Sequence, residues 1–143
     1  MSEENKIVVQ HFNQRVIAEG NRQAFESLVA QSFINHSAPA GAANDRESLW
    51  RTFELVLRPA LTDLQVRIEE QIAEGEWVTT RKTLTGVHNG ELLGVQPTGS
   101  SVTIAVIDMV RIVEGQYVEH WGLNTLEQAV NRLKKIKGVY AAP

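Results

Sequence analysis

The hydrophobic period of this chain changes once, near Leu61. Ahead of that point apolar residues return every three or four positions, the spacing of a helix with one buried face. Beyond it they alternate, the spacing of a half-buried strand. Helical spacing comes back only near the C-terminus. Helices first, strands next and one helix last is not the interleaved order of a parallel β-α-β sheet. It predicts an α+β fold, with N-terminal helices packed on one face of a curved, mostly antiparallel sheet and a C-terminal helix after it. The 143 residues suffice for a single domain, residues 1–143, with a substantial core. A sheet curved over helices leaves an apolar pocket between the two layers.

The punctuation along the chain is local. Ile7, Val8, Phe12, Val16 and Ile17 define a first helix from Glu3 to Glu19, ended by Gly20. Asn21 caps a second, over RQAFESLVAQ, and Asp45 caps a third, RESLWRTFELVLRPAL, with Pro59 in or just after its final turn. Between them SFINHSAPAGAAND reads as a short extended piece followed by a loop. LQVRIEEQI, WVTTRKTLTGVH, VTIAVIDMVRIV and QYVEHWGL read as strands, joined by a turn at AEGEW, a glycine-bearing loop NGELLGVQPTGSS and a second hairpin. Thr125 is expected to cap a last helix, LEQAVNRLKKIK, that stops at Gly138 ahead of VYAAP.

One residue interrupts the strand pattern. Val102, Ile104, Val106, Asp108, Val110 and Ile112 share one face of their strand, and five of the six are branched aliphatics. Asp108 therefore lies in a buried lane. What lies opposite depends on the turn that follows. A two-residue turn at Glu114–Gly115 needs a positive φ at Glu114, which its side chain disfavours. A three-residue loop, Val113–Glu114–Gly115, confines the left-handed conformation to Gly115. The expected register then pairs Ile112 with Gln116, Val110 with Val118 and Asp108 with His120. A carboxylate facing an imidazole in an apolar pocket is what general acid–base chemistry requires. A buried pair that only ties two strands together fits the same residues, as does a pocket that binds without reacting.

Further candidates surround this pair. His88 ends its strand at the mouth of the glycine-bearing loop, within reach of a ligand. His36 stands at a strand–loop junction; with Trp50 and Phe53 of the third helix, and Val106 and Val110 beside Asp108, it is expected to line the substrate pocket. His11 reads as a helix-surface or packing residue. Trp121 falls on the face opposite His120, together with Thr79 and Arg81, and suits packing or a subunit contact. Arg81 is expected to pair with Glu69.

Composition narrows the chemistry. No cysteine is present, which removes thiolate nucleophiles and cysteine-held metals, and no HExxH or pair of histidines one helical turn apart marks a metal site. The loop GVQPTGS is not followed by a helix and lacks the terminus that favours phosphate. A net charge of −3 and a single short basic run, RLKKIK, argue against a nucleic-acid binder. A polar N-terminus and the lack of a membrane-length apolar run lead to the expectation of a soluble, cytoplasmic protein with no membrane association.

The run LTGVHNGELLGVQPTGSSVTIAVIDMVRIVEGQYVEHWG also carries a family pattern. It reads T-G-x-H-x-G-E-[FL]-x-G-x-x-P-T-G, then a strand with I-D-[MIF]-x-R, then E-[HE]-W. This resembles the SnoaL-like polyketide cyclases, or ester cyclases, of the NTF2-like superfamily. GNRQAFESLVAQSFINHSAP and PALTDLQVRIEEQIAEGEWVTTRKTLTG resemble the N-terminal half and the middle of the same family. The resemblance implies a cone-shaped α+β barrel, usually a homodimer, around a deep pocket for a small apolar substrate. It implies ring closure by intramolecular aldol condensation, without metal or cofactor, by an aspartate acid–base catalyst assisted by a histidine. Asp108 matches that aspartate, and His88 and His120 both match the histidine. The chain departs from the pattern at HWGLNT, where many members carry an aspartate soon after the tryptophan and this one has Asn124. Related pockets in the superfamily isomerise, hydrolyse, hydroxylate or simply bind, and those alternatives stay open.

Overall fold

A computed structural model describes residues 2–141, with side chains described for residues 2–136. Helix α1 (Ser2–His11) runs directly into a π-helical segment, Phe12–Ala18, and Gly20 ends the rod at a φ of +72°. Helix α2 (Arg22–Leu28) starts from Asn21, whose side chain accepts the Ala24 N–H. It is shorter than its apolar spacing suggests, because Val29 already opens strand β1 (Val29–Asn35). Helix α3 (Arg46–Arg51) starts from Asp45, which accepts the Ser48 N–H. It continues as a second π-helical segment, Thr52–Leu57, and a last turn α4 (Arg58–Ala60) that contains Pro59. The change of period at Leu61 is the start of strand β2 (Leu61–Glu74), followed by β3 (Trp77–His88), β4 (Ser101–Val113) and β5 (Gln116–Asn124). Helix α5 (Leu126–Ala141) comes last.

The strands form a five-stranded sheet in the order β1-β5-β4-β3-β2, antiparallel except where β1 runs parallel to β5. The inward lanes of β3 and β4 meet the helices. Val78, Leu84, Val102, Ile104, Val110 and Ile112 are buried there against Phe12, Val16, Phe53 and Leu57 from the π-helical segments. This is the α+β layering that the order of periods predicts.

Local details differ from the sequence expectation for identifiable reasons. The Leu126 N–H is capped by Asn124 Oδ1, because Thr125 Oγ1 is turned to the Ala105 N–H of β4. Helix α5 carries on past Gly138, and the last two residues of the VYAAP tail lie outside the described residues. Arg81 pairs with Glu70 at 3.0 Å rather than with Glu69. A break in register between Ile68 and Glu70 sets Glu70 opposite Arg81, and Glu69 turns to Arg67 and Thr83 instead.

The β4–β5 hairpin differs most. Val113 pairs with Gln116 across a two-residue turn in which Glu114 and Gly115 both have positive φ, +51° and +77°. This turn matches the right-handed twist of the long strands it joins, and that fit outweighs the roughly 1–2 kcal/mol a side chain costs in the left-handed region. One pair further along, Ile112 faces Tyr117 but Arg111 faces Glu119, so Val118 is an unpaired bulge residue. Val110 then faces His120, and Asp108 faces Gly122. The extra residue expected in the loop sits within β5. Both arrangements insert one residue, so His120 still falls on the inward face.

Candidate functional site

Asp108 lies on β4 with Thr80 of β3 on one side of it and Gly122 of β5 on the other. His120 reaches it diagonally rather than from the position directly across, with Nε2 3.4 Å from Asp108 Oδ2. Gly122 makes that approach possible. A Cβ there would stand 3.0 Å from His120 Cε1 and 3.3 Å from Asp108 Cβ, so the missing side chain leaves room for the imidazole. On the other flank Lys82, two residues along β3 from Thr80, puts Nζ 3.2 Å from the same Oδ2. Asp108 and Lys82 are buried at 8% and 5% exposure.

Two side-chain nitrogens thus share one carboxylate oxygen. Burial by itself pushes the Asp108 carboxyl up, but the Lys82 ammonium and His120 outweigh it and hold the group below its ordinary value. Asp108 is therefore a carboxylate at neutral pH. No hydrogen bond from the described residues reaches Oδ1, and none of their fully buried side-chain oxygens lacks a partner, which leaves Oδ1 open to the space in front of it.

The orientation of His120 is set from β1. The Ser37 N–H donates to Asn35 Oδ1 at 3.0 Å, which fixes the oxygen end of that amide. His120 Nδ1 lies 2.9 Å from the same oxygen and so must carry a proton. Its Nε2 is left to exchange a proton with Asp108 or with a ligand.

The space in question is a cavity of about 200 Å³ between the helices and the sheet. Phe12, Phe53, Leu57, Ile104 and Val106 form its apolar wall, and Lys82, Asp108, Tyr117, His120 and Asn35 its polar side. Exposed Ser37, Thr52 and Asn124 mark its rim. Tyr117 comes inward because of the Val118 bulge. Its ring stacks on Phe12 at 4.3 Å between centroids. Burial, and then the Asp108 charge, push its phenol well above the ordinary value, so it keeps its proton. Its hydroxyl has no protein partner among the described residues and is a donor free for a ligand.

The residues expected from sequence divide between this cavity and other places. Asp108, His120, Phe53 and Val106 line it. His36 is on the opposite face from its neighbour Asn35, stacked on Trp121 at 4.3 Å with Nε2 3.0 Å from Glu119. Trp50 packs on Phe25 and donates Nε1–H to Glu54. Val110 is buried behind His120. His88 is fully buried below the glycine-bearing loop, where Nδ1 accepts the Thr98 N–H and Nε2 lies 3.2 Å from Val95 O. Both its nitrogens are committed to pinning that loop. Lys82, Asn35 and Tyr117 were not among the expected residues. Lys82 had a legible signal: the alternation that isolates Asp108 on β4 puts Lys82 in the lane Val78, Thr80, Lys82, Leu84, Gly86 of β3. Tyr117 had none, because strict alternation along β5 sends it and His120 to opposite faces.

Several solved structures share this architecture. AclR from Streptomyces galilaeus, described as a candidate hydroxylase, superposes with a TM-score of 0.82 at 25% identity, over 94% of this chain and 83% of its own. IdmH from Streptomyces antibioticus, described as a candidate polyketide cyclase, gives 0.79 at 22% identity over 91% and 98%. A SnoaL-like polyketide cyclase candidate from Jannaschia sp. CCS1 gives 0.80 at 22% identity over 92% of each chain. At these identities the last two establish a common NTF2-like fold. No curated protein matches the sequence at a significant level. The family model for the SnoaL-like polyketide cyclases, however, matches residues 7–128, a span that takes in the helical layer, all five strands and every polar residue of the cavity. The chain belongs to the SnoaL-like polyketide cyclase family.

Proposed function

We propose that the protein closes a carbon ring by intramolecular aldol condensation, using its own side chains as acid and base. The observation that carries this reading is the division of labour on Asp108. Lys82 and His120 hold one carboxylate oxygen, and the other faces the cavity without a partner among the described residues. A carboxylate kept ionised but partly unsolvated is a base for a proton on carbon next to a carbonyl. The Tyr117 hydroxyl and His120 Nε2–H stand beside it as donors for the oxygen that gains charge as the enolate forms. After the new carbon–carbon bond forms, His120 gives its proton to the alkoxide, and the Asn35 contact holds the remaining proton on Nδ1.

The cavity volume limits the reacting part of the substrate. A dry protein cavity of about 150 Å³ holds benzene, so about 200 Å³ encloses one six-membered ring with small substituents. A larger substrate would extend past Ser37, Thr52 and Asn124. The same reading includes a homodimer formed through the outer face of the sheet, supported by exposed Trp77, Ile107, Met109 and Leu123 on neighbouring strands.

The test is a set of acyclic diketones whose aldol closure gives a six-membered ring, followed by product chromatography with wild type and Asp108→Asn. Wild type is expected to accelerate closure and the variant to lose roughly 10²–10⁴-fold of that rate. Equal rates in the two proteins would remove Asp108 as the base. No acceleration by wild type across the set would leave a binding pocket instead.

A further inference from the structure

Lys82 is an uncommon residue to find where it is. Lysine is almost never fully buried, yet here the inward alternation of β3 carries it into the apolar cavity. Its position is built, not incidental. Nζ lies 2.7 Å from Asn13 Oδ1, and Asn13 is itself buried at 2% exposure, with its Nδ2–H donating to Val9 O at 2.9 Å. That second bond fixes which end of the amide faces the lysine. Asn13 sits in the first π-helical segment, whose wide turns often mark working sites. One N–H of Lys82 is thus held by a fixed neutral dipole, one is directed at Asp108 Oδ2, and the third meets no acceptor among the described residues.

A counter-ion for Asp108 does not require this residue. An arginine reaching in from the rim would keep its charge at any pH with less desolvation. Lysine differs in one respect: once it has given up its proton it is a nucleophile. Asp108 is the acceptor, 3.2 Å away.

We propose that Lys82 is a covalent catalyst, adding Nζ to the carbonyl carbon of the substrate to form an iminium ion. This rests on the reading that the cavity admits a carbonyl compound. Lys82 first gives a proton to Asp108, leaving an amine and a carboxylic acid. The C–N bond forms as the carbonyl oxygen takes the Asp108 proton, and the nitrogen then returns one of its own to the carboxylate. The resulting carbinolamine loses its hydroxyl as water, with the Asp108 proton. The cation–carboxylate pair ends with the same charges as before, so no external acid, base or cofactor is consumed. Asp108 then removes the neighbouring C–H proton to give an enamine, whose carbon attacks the second carbonyl as that carbonyl's oxygen takes the proton from Asp108. Water adds to the regenerated iminium carbon as Asp108 takes one of its protons and passes it to the nitrogen. The C–N bond then breaks as the hydroxyl gives its proton to Asp108, which releases the carbonyl product and the Lys82 amine. That proton returns to Lys82 to restore the ammonium–carboxylate pair.

The experiment treats the full chain with cyclohexanone, which matches the enclosed volume, and sodium cyanoborohydride, which reduces an iminium to a stable secondary amine. Peptide mapping by mass spectrometry then locates the adduct. Modification of Lys82 is expected at a rate roughly tenfold or more above that of the exposed lysine Lys134. Lys82→Arg keeps the positive charge beside Asp108 and is expected to lose that adduct while other lysines react as before. Adducts confined to surface lysines, with Lys82 unmodified in wild type, would overturn the proposal. The wild-type mapping needs no variant to fold. Ring closure that depends on Asp108 but leaves Lys82 unlabelled would reject covalent catalysis and keep the acid–base reading. A Lys82 adduct without ring closure would keep the covalent site and reject the cyclase reading.

Discussion

Asp108 is stabilising only while it is charged, and this gives a pH dependence with a definite sign. Its folded-state value is depressed, so the contribution is fully present above the ordinary carboxyl range and is lost as pH falls through the folded value. Asp108→Asn leaves the Lys82 ammonium buried without its counter-charge, and removing one partner of such a pair costs about 3 kcal/mol. The urea midpoints of wild type and Asp108→Asn are therefore expected to differ most near neutral pH and to converge in acid. A gap that stays constant down to strongly acidic pH would show that the pair does not titrate as described. The sequence made Asp108 and His120 visible because a single polar residue in an aliphatic lane stands out. His36 was a one-position miss with a simple cause. Where β1 gives way to the loop, Asn35 and Ser37 turn to the cavity and His36 turns away, and no periodicity spans so short a piece.

At the level of the element, the β4–β5 hairpin shows how one local preference yields to a longer fit. Glu114 occupies a left-handed conformation that suits asparagine far better, and Asn-Gly is the favoured pair for this turn. Glu114→Asn is expected to raise stability by about 1 kcal/mol, read as a melting-temperature increase of roughly 2–4 °C. No change would mean that the twisted strands, not the turn residue, set all of the local energy. The bulge at Val118 was not legible because nothing in QYVEHWG marks which residue is left unpaired. The caps at Asn21 and Asp45 were legible, since each depends on one side chain and a backbone N–H three residues on.

The whole molecule follows from the order of its periods, which is why its layering was readable throughout. Its outer sheet face was readable too. Thr103, Ala105, Ile107 and Met109 alternate outward on β4, while Trp121 of β5 lies against Trp77 of β3 at 5.5 Å between ring centroids. Ile107 and Leu123 face each other there at 54% and 82% exposure. Such a patch suits a second copy of the same sheet. Sedimentation is expected to give a dimer, and Ile107→Glu to weaken it by ~2 kcal/mol or more. A monomeric wild type at micromolar concentration would remove that part of the proposal. The cavity volume, by contrast, has no sequence signature, because it depends on how far the two π-helical segments stand from the sheet.

The single unpaired residue in β5 has a meaning best put in the language of coding. Tyr117 and His120 are an odd and an even position, and on a regular strand they are read in different frames, one for each side of the sheet. Val118 is a one-letter insertion that shifts the frame between them, so both words are spoken into the cavity and Glu119 and Trp121 are sent outside. The polar side of the cavity is thus written in the length of the strand as much as in its residues.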